Sequence, residues 1–408
     1  MQRSGGAAIL MQQGFNGVKV LFARADRLET MINLPAKRVF DEDVCNFLNH
    51  LSAEIRRDTE AKRHADLMAF GFFSRKSNIE RMRQAYAETD RIGRGVSFHI
   101  APSNVPVMSA YTLAAGLLSG NACIVRVSSK DFEQTEILCR LLRKTAADAA
   151  VGDYIAVVQY DRNREINDKL SSCADVRVIW GGDHTVNEIR RSPIPPRCVE
   201  AVFADRYSVC VLNAGSVERI TDWQSVVNDF YNDTYLYDQN ACTSPRLMYW
   251  LGTGQEVQHA RELFWRAVYE GVKERYEVRP IAAVDKLMTD FRAAVELDGI
   301  KIEKDEGNLF HRIWVKKLTR EITGYACPEG SFIEYGSSSL DDLAEIVTNK
   351  YQTLSYFGCS ADEIAGWVLE KGLRGIDRIV PMGKTADFSL TWDGYDLIET
   401  MSRKVLKV

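Results

Sequence analysis

The chain reads as an α/β protein of two domains, the first built on a doubly wound parallel sheet. Three observations predict it. Strand-like and helix-like stretches alternate four times at short spacing between residues 96 and 190, a pattern that calls for right-handed crossovers between parallel strands. The strands there are near-continuous apolar runs, as expected when helices cover both faces of a sheet. At 408 residues the chain is also too long for one ordinary core, and a second alternation follows a proline-rich break.

In order, the elements begin with a mostly helical preface over the first 90 residues. Residues 41–70 carry Val44, Phe47, Leu48, Leu51 and Ile55 at helical spacing, and 77–89 behave alike. The rhythm then changes to strand 96–100, helix 105–118, strand 122–127 and helix 131–150. Strand 154–159, helix 163–171, strand 176–180 and helix 184–190 follow. Ser192-Pro193-Ile194-Pro195-Pro196 interrupts the alternation and is the expected linker. Beyond it come strand 208–212, helix 223–236, strand 246–251 and a long helix 256–275. The last alternation is strand 331–334, helix 340–350, strand 353–357, helix 361–371 and strand 378–381. The expected domains are 1–203 and 204–381, with a tail of about 382–408 able to rejoin the first.

Composition narrows the function classes. Hydrophobic residues at 46% and charged residues at 26% match a soluble globular protein. A net charge of −4 and the lack of a basic stripe give no basis for nucleic-acid binding. No apolar run reaches the roughly 18 residues of a membrane span. The apolar patch at 7–11 is too short for a signal-peptide core. The nine cysteines (45, 123, 139, 173, 198, 210, 242, 327 and 359) are odd in number and contain no C-x-x-C pair. That argues against a disulfide framework or a structural zinc and fits a reducing, cytoplasmic setting. Cys123, Cys139 and Cys210 lie inside apolar elements and read as buried hydrophobes. No His/Glu or His/Asp pair has ligand spacing, so no metal is expected. His99, in a strand, reads as a satisfied buried histidine, and His184 as a residue beside a ligand or on the surface.

Three constellations carry chemistry. Cys242 lies among small and polar residues, Asp238-Gln239-Asn240-Ala241-Cys242-Thr243-Ser244-Pro245, between a helix and a strand. A thiolate there can act as a nucleophile, although a cysteine in a polar loop can equally be incidental. Asn104 stands where the first parallel strand gives way to helix, the end at which open α/β sheets bind ligands. Its amide suits an oxyanion donor; its plain alternative is to cap the helix, with Pro106 in the first turn. The third is the strand end Arg126-Val127-Ser128-Ser129-Lys130, which has two cations and no acid. A site reading the NAD ribose places a carboxylate there, so this end favours NADPH, or is simply a solvated strand end. Gly181-Gly182 after strand 176–180 allows close backbone approach to a ligand, although no G-x-G-x-x-G fingerprint is present.

Asn104 with Pro102 and Pro106, followed by Ala114-Ala115-Gly116-Leu117-Leu118-Ser119-Gly120-Asn121, resembles the aldehyde dehydrogenase superfamily segment that carries the oxyanion asparagine. The fuller wording of 93–106, of 238–245 and of Trp392-Asp393-Gly394-Tyr395-Asp396-Leu397-Ile398 looks like the LuxC-type acyl-CoA reductases, the fatty acid reductases of bacterial luminescence. The resemblance runs from about residue 40 to the C-terminus. It implies an aldehyde-dehydrogenase-like α/β fold: a doubly wound cofactor domain, a second α/β catalytic domain, and the site in the cleft between them.

It also implies a mechanism. Cys242 attacks an acyl thioester, the Cys242 backbone N–H and the Asn104 amide hold the oxyanion, and NADPH reduces the thioacyl-enzyme to an aldehyde. Arg126 matches the residue that contacts the adenosine ribose, with Ser128, Ser129 and Lys130 nearby for a 2′-phosphate and Gly181 and Gly182 near the pyrophosphate. One departure stands out. Hydrolytic relatives carry a Glu-Leu-Gly-Gly segment whose acid activates water, whereas here the stretch reads Val199-Glu200-Ala201-Val202. The expected activity is therefore NADPH-dependent reduction of an acyl-CoA or acyl-protein thioester rather than oxidation to free acid. The alternatives are a CoA-acylating aldehyde dehydrogenase working on short aldehydes, or a non-catalytic acyl-carrying subunit. An acyl-transferring partner enzyme is implied by the luminescence relatives, and a homo-oligomer is expected.

Overall fold

The computed structural model describes residues 17–23, 27–86, 90–147, 149–304, 307–325 and 327–407. The apolar patch at 7–11 and the end of the helix expected over 77–89 lie outside them. The chain divides into two compact units, Met1–Ala204 with Phe388–Val408, and Asp205–Asp387.

The first unit is built on a six-stranded sheet. Its strands are β1 (Lys19–Phe22), β2 (Val96–Ile100), β3 (Ala122–Val127), β4 (Ile155–Gln159), β5 (Val176–Trp180) and β6 (Val199–Phe203), in the spatial order β1-β4-β3-β2-β5-β6. All neighbours are parallel except β1, which pairs antiparallel with β4. The helices are α1 (Glu42–Arg57), α2 (Ala65–Phe73), α3 (Lys76–Gln84), α4 (Met108–Leu118), α5 (Glu133–Ala146), α6 (Arg164–Cys173) and α7 (Asp183–Arg190). Strands β2 and β5 are buried at every position, which is why they read as near-continuous apolar runs, broken only by Ser97, His99 and Arg177.

Helix α4 packs so close to the sheet that a Cβ at Gly116 would stand 2.7 Å from Cys123 Sγ and 2.8 Å from His99 Nε2. Beneath it, fully buried His99 bonds Thr112 Oγ1 at 2.7 Å and Ser97 Oγ at 2.8 Å. Thr112 accepts from Trp180 Nε1 at 3.1 Å, so its own proton is left for His99 Nδ1. Ser97 donates to the Ala122 carbonyl, so it accepts from His99 Nε2–H. The ring is thus neutral with every polar atom satisfied, and burial pushes its pKa down to about 3.

Two expectations need correction. The preface is mostly helical, with β1 at its start, but the helix expected over 41–70 breaks at Asp58. The Asp58 carboxylate accepts from the backbone N–H of Glu60 and Ala61, which starts a short 3₁₀ turn instead. The proline-rich stretch 192–196 is not the linker. Strand β6 follows it and pairs with β5, and buried Arg177 donates to the Ser192 carbonyl at 2.7 Å. The chain leaves the first unit only after Ala204. It returns at Phe388, where Trp392, Leu397, Ile398 and Met401 enter the first unit's core. Ser402–Lys404 then pairs with Arg91–Gly93.

The second unit has a seven-stranded sheet: β7 (Tyr207–Asn213), β8 (Pro245–Leu251), β9 (Lys301–Lys304), β10 (His311–Trp314), β11 (Ser331–Ser337), β12 (Tyr351–Phe357) and β13 (Arg378–Pro381). The order is β9-β10-β11-β8-β7-β12-β13, with β9 and β10 the antiparallel pair. Its helices are α8 (Trp223–Thr234), α9 (Gly254–Val272), α10 (Pro280–Glu296) and α11 (Ala361–Glu370). Alternate residues of the central strands feed two cores. Val209, Val211, Leu247 and Tyr249 face one, and Cys210, Leu212, Met248 and Trp250 face the other. No helix among the described residues is long and apolar enough to cross a membrane.

Candidate active site

In the first unit the chain runs β2, β3, β4 outward on one side, then resumes with β5 and β6 on the other side of β2. The order therefore reverses between β2 and β5, and the crevice beyond the carboxyl ends there is where such sheets take ligands. Each motif singled out in this half lies at those ends. Asn104 follows β2, Ser128, Ser129 and Lys130 follow β3, and Gly181 and Gly182 follow β5.

Helix α4 starts three residues later than expected. Val105-Pro106-Val107 forms a tight turn whose carbonyls accept from the N–H groups of Met108, Ser109 and Ala110. The N-cap is Val107, with no side-chain capping bond. Asn104 is therefore not the N-cap residue of α4.

Arg126 leans along the sheet edge. Its Nη2 donates to the Tyr160 carbonyl at 3.2 Å and its guanidinium stacks 4.7 Å from the Tyr160 ring centroid. Its Nε is buried and has no hydrogen-bond partner among the described residues. Ser128 Oγ accepts from the Lys130 N–H at 3.1 Å, while Ser129 and Lys130 face solvent. Gly181 donates to the Phe203 carbonyl at 3.1 Å, and a Cβ there would press within 3.1 Å of Thr185 Cγ2. Gly182 opens α7, whose first N–H groups leave an anion-favouring terminus at the sheet edge. His184 lies in the exposed first turn of α7.

Glu200 is committed elsewhere. It accepts from Arg177 Nε at 2.8 Å and from Arg190 Nε at 2.7 Å, and Arg177 is buried. It serves as the counter-ion of a structural pair.

In the second unit Cys242 lies in the turn between α8 and β8. Of the nine cysteines, all of them described, Cys242 alone is exposed. Cys123 and Cys210 are buried and their thiols are pushed up to about 12; burial lifts Cys139 to about 11. The Cys242 carbonyl accepts from Ser208 Oγ at 2.7 Å.

The turn itself is held by a residue that sequence reasoning passed over. Gln239 is fully buried, and its amide makes four hydrogen bonds. Its Oε1 accepts from Gly330 N at 3.0 Å and Ser331 N at 2.9 Å. Its Nε2 donates to Pro245 O at 2.9 Å and Ser331 O at 3.0 Å. Asp238 and Gln239 both adopt positive φ, 51° and 53°, so the turn is held in a conformation that non-glycine residues resist.

Arg246, at the start of β8, was missed as well. It donates to the Gln239 carbonyl at 2.7 Å and to the Cys327 carbonyl at 2.9 Å. Burial lowers its pKa, while Tyr207, Cys327 and Cys242 act the other way, which places a cation within electrostatic reach of the Cys242 thiol. The available signal was a lone arginine inside an otherwise apolar strand.

Glu329 is buried and ion-paired with Arg279. Its N–H donates to the Asp238 carbonyl at 3.0 Å. Among the described residues no cluster of three or more His, Cys, Asp or Glu side chains is arranged to hold a metal ion.

The model of the acyl-CoA reductase (LuxC) family matches residues 25–404. The long-chain acyl-protein thioester reductase of Photorhabdus luminescens is 25% identical over 301 residues, 71% of this chain and 58% of that protein. Its counterpart in Vibrio harveyi is 25% identical over 305 residues, 71% of this chain and 59% of that protein. The chain thus spans somewhat over half the length of these curated relatives. Among solved structures, methylmalonate-semialdehyde dehydrogenase from Oceanimonas doudoroffii superposes with a TM-score of 0.65 at 14% identity, covering 98% of this chain and 90% of that one. A 3,6-anhydro-L-galactose dehydrogenase in complex with NAP superposes with the same score and identity, covering 96% of each chain. The fold, with its two largely parallel sheets, is that of the aldehyde dehydrogenases, and the family match over nearly the whole chain shows that this protein belongs to the LuxC acyl-CoA reductase family.

Proposed function

We propose that this protein reduces an acyl thioester, acyl-CoA or acyl-protein, to an aldehyde with NADPH, through a thioacyl-enzyme on Cys242. The single observation that carries the assignment is that Cys242, inside the family-like motif 238–245, is the one exposed thiol, on a turn that Gln239 and Arg246 hold in shape. The Cys242 thiolate adds to the thioester carbonyl, and the carbonyl electrons move onto oxygen. In this reading the Asn104 amide and the Cys242 backbone N–H stabilise that oxyanion. The oxyanion collapses, the thiol of CoA or of the donor protein leaves, and the acyl group remains on sulfur.

The residues of the first unit fit a dinucleotide phosphate on chemical grounds. Ser128, Ser129 and Lys130 offer hydroxyls and a cation at the end of β3, and Arg126 Nε is a buried donor in want of an acceptor. Gly181 and Gly182 bring bare backbone to the start of α7. NADPH held by these residues would supply a hydride to the acyl carbon. The resulting thiohemiacetal oxyanion would collapse, breaking the carbon–sulfur bond to give free aldehyde and the Cys242 thiolate. The relatives' acyl-protein thioester substrates support a long-chain acyl group and a protein donor.

The test is NADPH and NADH oxidation across a panel of acyl-CoA chain lengths, with the aldehyde trapped as a hydrazone. Cys242→Ala should abolish aldehyde formation while NADPH still binds. A Cys242→Ala protein that kept full turnover would remove the nucleophile from the scheme.

A further inference from the structure

Helix α10 is turned inside out. Its buried face carries Ala282, Lys286, Asp290 and Ala293, with Lys286 only 1% and Asp290 3% exposed. Its outer face carries Ile281, Val284, Leu287, Met288, Phe291 and Val295, between 42% and 87% exposed. This is no slip of register, because the polar residues inside have partners. Lys286 Nζ donates to the Asn308 carbonyl at 2.6 Å, and Asp290 pairs with buried His311 at 2.8 Å and with Lys304 at 2.7 Å. The His311 ring bonds Ser331 Oγ at 2.6 Å on its other side. The inward face is specified by this network, and the apolar face is therefore built to look outward. An ordered apolar stripe of this size marks an association surface.

The spacing says what kind. Ile281, Val284, Met288, Phe291 and Val295 follow one another at intervals of three, four, three and four. That is the a/d seam of a helix that packs against another helix. In this frame Asp285 and Arg292 occupy successive e positions, and both are exposed. Arg292 already stacks on Tyr325 and pairs with Glu296, yet half of its side chain stays in solvent. A parallel partner copy would set Asp285 against Pro280 and Arg292 against Leu287, with no opposite charges meeting. An antiparallel copy sets e against e. With Met288 over Phe291 of the second copy and Val284 over its Val295, Asp285 falls opposite Arg292, and twofold symmetry makes each contact twice.

We propose that α10 is a self-association surface, pairing antiparallel with α10 of a second copy of this chain around a twofold axis. The seam residues supply the buried contact and the Asp285–Arg292 pairs select the orientation.

Sedimentation of the full chain at micromolar concentration tests it. The wild type should be a dimer, or an even-numbered higher oligomer. Phe291→Glu, at an exposed position, should halve the mass with an unchanged circular dichroism spectrum. Should that variant fail to fold, Val284→Ser provides the same reading. Asp285→Arg and Arg292→Asp should each weaken association about tenfold or more by setting like charges opposite one another. Asp285→Arg combined with Arg292→Asp should restore it, since the reversed pair is again complementary. A monomeric wild type, a mass unmoved by Phe291→Glu, or a double variant that stays dissociated would overturn the proposal.

Discussion

Gln239 spends its whole hydrogen-bonding capacity on two loops, 238–245 and 329–331. Removing it takes a partner from two backbone N–H groups and two carbonyls, at about 1–3 kcal/mol for each group left buried and unsatisfied. Gln239→Ala should therefore lower the melting temperature of the protein. It should also slow acylation of Cys242 by a substrate-sized acylating reagent more than alkylation by iodoacetamide, because the turn loses its shape while the thiol stays accessible. Equal rates with wild type for both reagents would show that the turn holds itself. Asn104 makes a separate case. The N-cap position of helix α4 is Val107, not Asn104, so Asn104→Ala is read by turnover and melting temperature together. Turnover should fall by about 100-fold or more if its amide serves the oxyanion. A variant with normal turnover and a lowered melting point would make the residue structural.

At the scale of elements, the strands were the most legible part of the chain. Residues 96–100, 122–127, 176–180 and 378–381 were bounded correctly because each is a short apolar run closed by a glycine, a polar turn or a proline. Helix α10 and strands β9 and β10 were not seen. An inward face of Lys286 and Asp290 has no apolar stripe to detect, and Lys301–Lys304 is a charged edge strand. Strand β6 was hidden by the prolines before it. Cys242 and Asn104 were legible because their motifs are contiguous in sequence. Gln239 as a clamp was not, because its partners at 330 and 331 are about ninety residues away. His99, read from sequence as a satisfied buried histidine, does sit neutral and fully bonded between β2, α4 and β5. Its folded pKa of about 3 lies below the unfolded value of about 6.5. The unfolded chain thus binds a proton in that window that the folded chain refuses. The stability from His99 is full above pH 6.5 and is lost at about 1.4 kcal/mol per pH unit as pH falls toward 3. His99→Gln should flatten that slope. Hydrogen exchange of β2 and β3 peptides at pH 7.5 and 5 would show it as a smaller acid-induced loss of protection, and an unchanged slope would assign the titration elsewhere.

For the molecule as a whole, the proposed acyl-enzyme on Cys242 raises the question of where the acyl group would go next. Hydrolysis needs a base that can deprotonate water beside the thioester. The acid in the stretch that stands where hydrolytic relatives carry their Glu-Leu-Gly-Gly segment is Glu200, out of that pattern and bound between Arg177 and Arg190. Arg177 is buried, so releasing Glu200 for proton transfer would strand a cation inside the first unit, at about 3–5 kcal/mol. That cost disfavours any catalytic excursion of this carboxylate. Mixed with acyl-CoA in the absence of NADPH, the enzyme should release one equivalent of CoA per active site in a fast burst and then nearly stop. Adding NADPH should discharge the acyl group as aldehyde rather than acid. Glu200→Ala separates the structural role from a catalytic one. It should lower the stability of the first unit through unpaired Arg177 and leave the slow hydrolysis rate where it was. A continuous release of free acid by the wild type, or a hydrolysis rate that falls with Glu200→Ala, would mean that the chain keeps a water-activating base and that its direction is not set by the loss of one.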